Sequence, residues 1–233
     1  MLPDLTSAGF FVGFLRISSI DILLSGDNAV VIALASRSLP PAQRRVAVLG
    51  GSAAAIIMRI LLCLVITAVM KVPYLKLGGG LMLVYIGVKL LIPEDETDRA
   101  GIKETSHVWG AIRTILIADA VMSLDNVVAI AAAAEGRVLF IVLGLVISIP
   151  LIVFGSQLVL RLLNAWPMLV VLGAGLLGWI AGEIIVSDPA VLGYLPYSEH
   201  VLARIAEPLL ALLVMGVGTF LARRVRARRD ARE

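Results

Sequence analysis

The chain has 233 residues, 60% of which are hydrophobic, and its mean hydropathy is +1.00. Soluble domains are about half apolar, so this excess indicates a membrane protein. The formal net charge is only +3, yet six arginines follow Phe220 in "LARRVRARRDARE". A basic tail after an apolar helix is typical of a cytoplasmic flank beside anionic lipid. We therefore expect the lipid bilayer as a partner and no nucleic acid.

Several classes of protein are disfavoured by residues that the chain lacks. Cys63 is the only cysteine, which excludes an intrachain disulfide, and His107 and His200 are too far apart to form a zinc site. No H-E-x-x-H, G-x-S-x-G or phosphate-binding glycine loop occurs. The start, "MLPDLTSAGF", has no basic region typical of a cleaved signal peptide. We expect neither an enzyme nor a bound cofactor.

Seven stretches are long and apolar enough to cross a bilayer, which takes about 20 residues. The predicted spans are roughly 8–35, 46–70, 74–92, 108–134, 138–160, 166–187 and 201–222. Loops with prolines or charges separate them, including "RLLNAWP" and "SDPAVLGYLPYSEH". Most lysines and arginines outside the spans fall on one side: Arg37, Arg44, Arg45, Arg99, Lys103, Arg161 and the tail. This bias predicts a multi-pass membrane protein with its N-terminus outside and its C-terminus in the cytoplasm.

One acidic motif occurs twice. "DILLSGDNAVVIALA" begins at Asp21, and "DAVMSLDNVVAIAAA" begins 98 positions later at Asp119, with identity at eight of fifteen positions. The polar matches carry most weight, because apolar letters often match by chance in membrane proteins. They pair Asp21 with Asp119, Ser25 with Ser123, Asp27 with Asp125, and Asn28 with Asn126.

This repeat predicts an all-α fold of seven transmembrane helices within one domain, residues 1–222. Repeat one covers about 8–92, repeat two about 108–187, the extra helix 201–222, and a basic tail 223–233. A unit of three spans must insert its second copy upside down, and transporters built in this way bind substrate near the midplane. The alternative is an old duplication that serves architecture alone, although the repeated polar residues argue against it.

Four aspartates inside spans would cost about 10–14 kcal/mol if all were ionised and unpaired. A cation, an arginine, water or a proton must offset that cost. On a helix, Asp119, Ser123 and Asn126 form one stripe, and Asp21, Ser25 and Asn28 form its counterpart. Asp27 and Asp125 lie beside the stripes, so either each helix is unwound locally or the two aspartates face different neighbours.

Carboxylate, amide and hydroxyl oxygens suit Mg²⁺, Ca²⁺ or Mn²⁺ rather than Zn²⁺ or Cu⁺. Alternatively, Arg16, Arg59 and Arg113 could pair with the aspartates in a structural polar core. Arg59 lies in mid-span, where it could neutralise an aspartate of the empty site. Glu183 could be a fifth acidic ligand or a proton carrier, or it could face the membrane interface.

The motifs "SGDNAVVIALA" and "SLDNVVAIAAA" resemble those of the TerC family of integral membrane proteins. The resemblance covers nearly the whole chain, whose length is similar to that of the short bacterial YjbE-type subgroup. The resemblance implies a protein of the bacterial inner membrane that exports divalent cations, chiefly Mn²⁺. The family's acidic motif residues correspond here to Asp21, Asp27, Asn28, Asp119, Asp125 and Asn126, with Ser25, Ser123, Glu183 and Arg59 as secondary candidates.

The resulting hypothesis is Mn²⁺ export by alternating access through an acidic site at the midplane. Ligand type does not separate Mn²⁺ from Ca²⁺ or Mg²⁺, and protonatable carboxylates alone do not establish proton coupling. Two rivals stay open: an exporter of another cation, including an organic one, and a membrane scaffold of a stress response that transports nothing. A homo-oligomer is compatible with the sequence.

Overall fold

The structure is a computed structural model that describes residues 15, 18, 26–69, 72–93, 104–134, 138–194 and 199–230. Almost all of these residues lie in helices, and no strand occurs among them, so the predicted all-α class is confirmed. The helices are α1 (Gly26–Ser36), α2 (Pro41–Val69), α3 (Leu75–Leu91), α4 (Glu104–Ala134), α5 (Val138–Ala165), α6 (Met168–Val186), α7 (Pro189–Tyr194) and α8 (Glu199–Asp230).

Five of these helices, α2, α4, α5, α6 and α8, are long and apolar enough to cross a membrane. α3 is apolar but has 17 residues, and the described part of α1 has 11. Each of the seven predicted spans therefore contains a helix. Most of the first predicted span, residues 8–25, lies outside the described residues.

The structure corrects several predicted boundaries. The loop predicted over 187–200 contains α7, whose first residue, Pro189, lacks only an N–H that the first turn of a helix does not use. The break predicted at "RLLNAWP" is wrong for its first five residues, because α5 continues to Ala165. α2 starts at Pro41 rather than 46, and α8 continues to Asp230 through the arginine-rich tail. Arginine favours helix, so a charged flank extends these helices beyond their apolar part.

The helices pack in a few extensive pairs. α2 packs against α4 and α5, α1 packs against α5 and α4, and α3 packs against α6. α8 packs mainly against α6 and also against α3. Glycines set the closest approach: a Cβ atom at Gly178 would lie 2.5 Å from the Leu210 carbonyl oxygen, and one at Gly182 would lie 2.7 Å from Glu207 Cα. Small residues permit such contact between helix backbones in membranes.

Gly182→Ala should therefore destabilise the protein by roughly 1–3 kcal/mol, because the new methyl group meets backbone that cannot rotate away. Gly216→Ala is the control, since nothing lies within 4 Å of a Cβ atom there. Thermal unfolding in detergent measures both variants. Equal midpoints for the two would contradict the described packing of α6 on α8.

The ends of three helices are tied together by arginine side chains. Arg37 Nη2 donates to the Leu90 carbonyl oxygen at 2.9 Å, which places the end of α3 beside the end of α1. Arg44 Nη2 donates to the carbonyl oxygen of Leu39 at 2.9 Å and its Nε to that of Ser36 at 3.3 Å. The start of α2 therefore lies at this same end of the bundle, which the sequence predicts to be cytoplasmic.

The opposite end of α3 is held by Asp188, whose carboxylate is 0% exposed. Its Oδ2 accepts a hydrogen bond from Leu77 N at 3.1 Å, and its Oδ1 accepts from Ala190 N at 2.8 Å and from Tyr74 N at 3.3 Å. One carboxylate thus caps α3 and α7 together. Burial acts to raise the pKa of Asp188, but these backbone donors outweigh burial and lower the pKa overall.

The lowered pKa sets the sign of a pH effect. An aspartate in an unfolded chain has a pKa of about 3.9. The ionised Asp188 therefore stabilises the fold above about pH 4, and this contribution is lost as the pH falls through the lower folded pKa. At pH 7, Asp188→Asn should cost roughly 1–3 kcal/mol, because an NH₂ group replaces one accepting oxygen and leaves a buried backbone N–H without an acceptor. The difference in unfolding midpoint between native chain and variant should shrink below about pH 4; a difference constant with pH would contradict the assignment.

Candidate functional site

A buried ionic cluster lies between α2 and α4. Arg59 Nη2 lies 2.5 Å from Asp119 Oδ1, and Arg59 Nε donates to Ser123 Oγ at 3.0 Å. Ser123 Oγ in turn donates to Asp119 Oδ2 at 3.2 Å. The three side chains are 2%, 7% and 0% exposed, so they are shielded from the surroundings of the bundle. A charge-assisted network of this kind offsets the cost of placing ions in an apolar interior.

Local packing explains why these side chains meet. Asp119 and Ser123 are four residues apart, so they share one face of α4, and Ile115 continues that face. Gly51 of α2 faces this row, because a Cβ atom there would lie 2.8 Å from Ile115 Cδ1. Arg59 lies eight residues after Gly51, about two turns along α2. Gly51 lets α2 and α4 approach closely beside Ile115. About two turns further along α2, Arg59 reaches Asp119.

α1 contributes Asp27 and Asn28 to the same region. Asp27 is half-buried, and its Oδ1 accepts a hydrogen bond from Asn28 N at 2.9 Å. α1 packs against α4, the helix that carries Asp119. Asn28 is 2% exposed, and neither its amide nitrogen nor its amide oxygen has a hydrogen-bond partner among the described residues. An unpaired buried amide costs free energy, so such groups usually bind water or a ligand.

The other predicted site residues divide into two groups. Asp21, Ser25 and the Asp125 side chain lie outside the described residues, so their part in the site stays a prediction. Asn126 is half-buried on α4, whereas Glu183 is exposed near the end of α6. The described residues contain no group of three or more His, Cys, Asp or Glu able to hold a metal ion.

One of the two geometries offered for the second motif is wrong. α4 is continuous from Glu104 to Ala134, so it is not unwound between Asp119 and Asp125. On an unbroken helix, positions 119 and 125 do not share one face. Arg113, offered as a pairing residue, is exposed on α4, and Arg16 lies outside the described part of the chain.

Sequence reasoning missed two features of the bundle ends. Asp188 was read only as part of a polar loop, although Asp before Pro is a recognisable helix-cap signal. Arg44, Arg45 and Arg161 served only to predict orientation, and they line one common cavity. Basic residues counted one by one along a sequence do not reveal that they meet in space.

The family model for the integral membrane protein TerC family matches residues 6–230. The chain belongs to the TerC family of integral membrane proteins. It is 44% identical to the uncharacterized membrane protein YjbE of Bacillus subtilis, over 77% of this chain and 81% of that protein. It is 26% identical to the UPF0053 protein YegH of Escherichia coli, over 70% of this chain but only 34% of that longer protein.

A second Bacillus subtilis relative, the uncharacterized membrane protein YkoY, is 24% identical over 76% of this chain and 60% of its own length. No solved structure matches the chain significantly. The predicted family is thus confirmed, as is the integral membrane character. The names of these relatives identify no substrate.

The ionic cluster makes a testable claim about stability. Removal of one partner from a buried ion pair costs about 3–5 kcal/mol, because the other charge is left unpaired. Arg59→Met should therefore lower the unfolding midpoint strongly, and Arg59→Met with Asp119→Leu should recover much of the loss. Thermal unfolding in detergent, followed by tryptophan fluorescence, measures this.

Arg113→Met is the matched control for that experiment, because it removes an arginine with an exposed side chain from the same bundle. Surface substitutions usually change the unfolding free energy by less than about 0.5 kcal/mol. If Arg59→Met and Arg113→Met are equally mild, the pair seen between α2 and α4 does not support the fold.

Proposed function

We propose that this TerC family protein exports divalent metal cations from the cytoplasm, with Mn²⁺ as its principal substrate, by alternating access. The observation that carries the proposal is the buried polar group around Asn28. An amide with no partner among the described residues lies next to the Asp27 carboxylate on α1, and α1 packs against α4, which carries Asp119. Carboxylate and amide oxygens suit Mg²⁺, Ca²⁺ and Mn²⁺.

The proposed architecture is a pair of inverted three-helix repeats followed by α8. Helix packing supports it. When α1, α2 and α3 are exchanged with α4, α5 and α6, the extensive contact of α2 with α4 becomes that of α5 with α1. Likewise, the contact of α3 with α4 becomes that of α6 with α1 under the same exchange. Transporters of this plan bind substrate between the repeats. The packing of α1, which carries Asp27, against α4, which carries Asp119, supports a site there.

Arg59 has a defined part in this proposal. Its guanidinium neutralises Asp119 when no substrate ion is bound, so the empty protein does not hold an unpaired carboxylate in its interior. A divalent cation that reached Asp119 would compete with Arg59 for the same oxygens. Release of the arginine would then accompany ion binding, and its return would favour ion departure.

The first test is Mn²⁺ flux into proteoliposomes by the native chain and by Asp27→Asn combined with Asp125→Asn, with Ca²⁺ and Mg²⁺ as competitors. Loss of a charged ligand is worth about 1.5–3 kcal/mol, so flux should fall roughly 10-fold or more. Glu199→Gln, an exposed carboxylate in the first turn of α8, is the control and should transport normally. Normal Mn²⁺ flux through the folded double variant would contradict the site.

Proton coupling is a further part of the proposal. Asp27 and its neighbours could accept protons as the cation leaves, which would make the protein an antiporter. Flux should then depend on a pH gradient across the vesicle and collapse when an ionophore dissipates it. Unchanged flux without the gradient would rule out the coupling while leaving the metal site intact.

A scaffold that transports nothing is the second candidate, and one observation favours it. The Arg59–Asp119–Ser123 cluster satisfies its own charges, as a structural polar core would. On this alternative the native chain moves none of the three cations, although it stays folded. We assign no covalent chemistry to the site in either case.

A further inference from the structure

A second polar site lies at the end of the bundle that the sequence predicts to be cytoplasmic. A cavity of about 370 Å³ opens between the start of α2 and the C-terminal half of α5. Three arginines line it: Arg44 and Arg45 from the first turns of α2, and Arg161 from α5. No acidic side chain is present among the described residues that line it.

The positive charge here is stronger than the three side chains alone suggest. The N-terminus of a helix carries about half a positive charge, which favours acidic residues in the first turn. α2 has no acidic residue there and places two arginines close by instead. An anion bound in the cavity would interact favourably with this helix N-terminus and with the arginines.

The three arginines differ in their freedom to bind. Arg44 uses Nε and Nη2 to hold the carbonyl oxygens of Ser36, Arg37 and Leu39, so its guanidinium is fixed at the cavity wall. Arg45 and Arg161 are exposed, and neither has a salt bridge or hydrogen bond to another described residue. A fixed guanidinium beside two available ones is suited to a phosphate group, which arginines bind through paired hydrogen bonds.

The remaining walls indicate what is attached to the phosphate. Val48, Leu49, Val153 and Leu160 form an apolar side, and Leu49 is 53% exposed on the outer surface of the bundle. Gln157 and Asn164 add polar groups. A cavity with arginines at one end and an aliphatic wall open to the bilayer matches an amphiphile, whereas free phosphate would leave that wall unused.

We propose that this cavity binds the phosphodiester headgroup of an anionic phospholipid from the cytoplasmic leaflet, with its acyl chains along the aliphatic wall. Basic pockets between transmembrane helices on this side of a membrane are suited to such headgroups. The site is separate from the cation site around Asp27 and does not depend on the proposed transport.

The test adds phosphatidylglycerol to the purified full-length protein in detergent, and compares it with phosphatidylcholine and with inorganic phosphate. Native mass spectrometry counts retained lipid, and thermal unfolding reports stabilisation. We expect one phosphatidylglycerol to stay bound and to raise the unfolding midpoint, and neither of the other two additives to do so. Equal stabilisation by inorganic phosphate, or by phosphatidylcholine, would overturn the proposal of an anionic lipid.

The variant Arg45→Gln with Arg161→Gln removes the two available guanidiniums and leaves Arg44 in place. Because each arginine near a membrane surface adds about one kcal/mol of attraction, the affinity for phosphatidylglycerol should fall roughly 30-fold. Arg223→Gln with Arg226→Gln removes two exposed arginines from α8 and should retain the lipid. An equal loss in both variants would show non-specific charge attraction and overturn the site.

Arg45→Lys with Arg161→Lys guards against a folding defect. It keeps the charge and the helix propensity but removes the planar fork that binds phosphate oxygens. We expect its unfolding midpoint without lipid to equal that of the native chain, with affinity for phosphatidylglycerol between those of the native chain and the glutamine variant. Native affinity in both the lysine and glutamine variants would overturn the proposal.

Discussion

An ion pair in an apolar interior is the constraint on which the rest of this molecule depends. Arg59 and Asp119 are buried within helices long and apolar enough to span a membrane, and either charge would be costly there without its partner. Arg59 Nη2 lies 2.5 Å from Asp119 Oδ1, and this contact fixes how α2 and α4 are aligned along their lengths. Ser123 completes the pair by donating to the carboxylate and accepting from the guanidinium, so both charges gain a further hydrogen bond.

Close helix packing makes this arrangement possible. Glycines on α2, α3 and α6 let neighbouring helices approach until side chains or backbone touch. Membrane helices gain no hydrophobic driving force from association, so such contacts and buried hydrogen bonds carry much of the cohesion. Asp188 forms buried hydrogen bonds of this kind at one end of the bundle, where its carboxylate accepts from backbone N–H groups of α3 and α7. Polar groups thus join the helices both in the interior and at the edge.

The membrane helices were predictable because length and apolar composition determine a span. Their ends were less predictable. The break expected at Arg161 is helical because arginine at a membrane edge can continue a helix, and α7 has only six residues, too few for a periodic signal. The repeated motif pointed to Asp119 and Ser123, and Arg59 was named as a neutralising residue. The sequence could not choose Asp119 from four candidate aspartates, because that choice depends on how α2 and α4 are rotated against each other.

The packing of α8 determines which helices could move together in the proposed alternating-access cycle. Glycines on the two neighbouring helices allow close contact with α8. They are Gly87 on α3 and Gly175, Gly178 and Gly182 on α6. α3 and α6 belong to different halves of the proposed repeat. α8 packs against both of them and so forms a three-helix unit with one helix from each half. The helices that carry Asp27, Arg59 and Asp119, which are α1, α2 and α4, lie outside this three-helix unit. In the proposed transport cycle, the other helices would therefore rock against this three-helix unit. The ion pair between α2 and α4 would move with them.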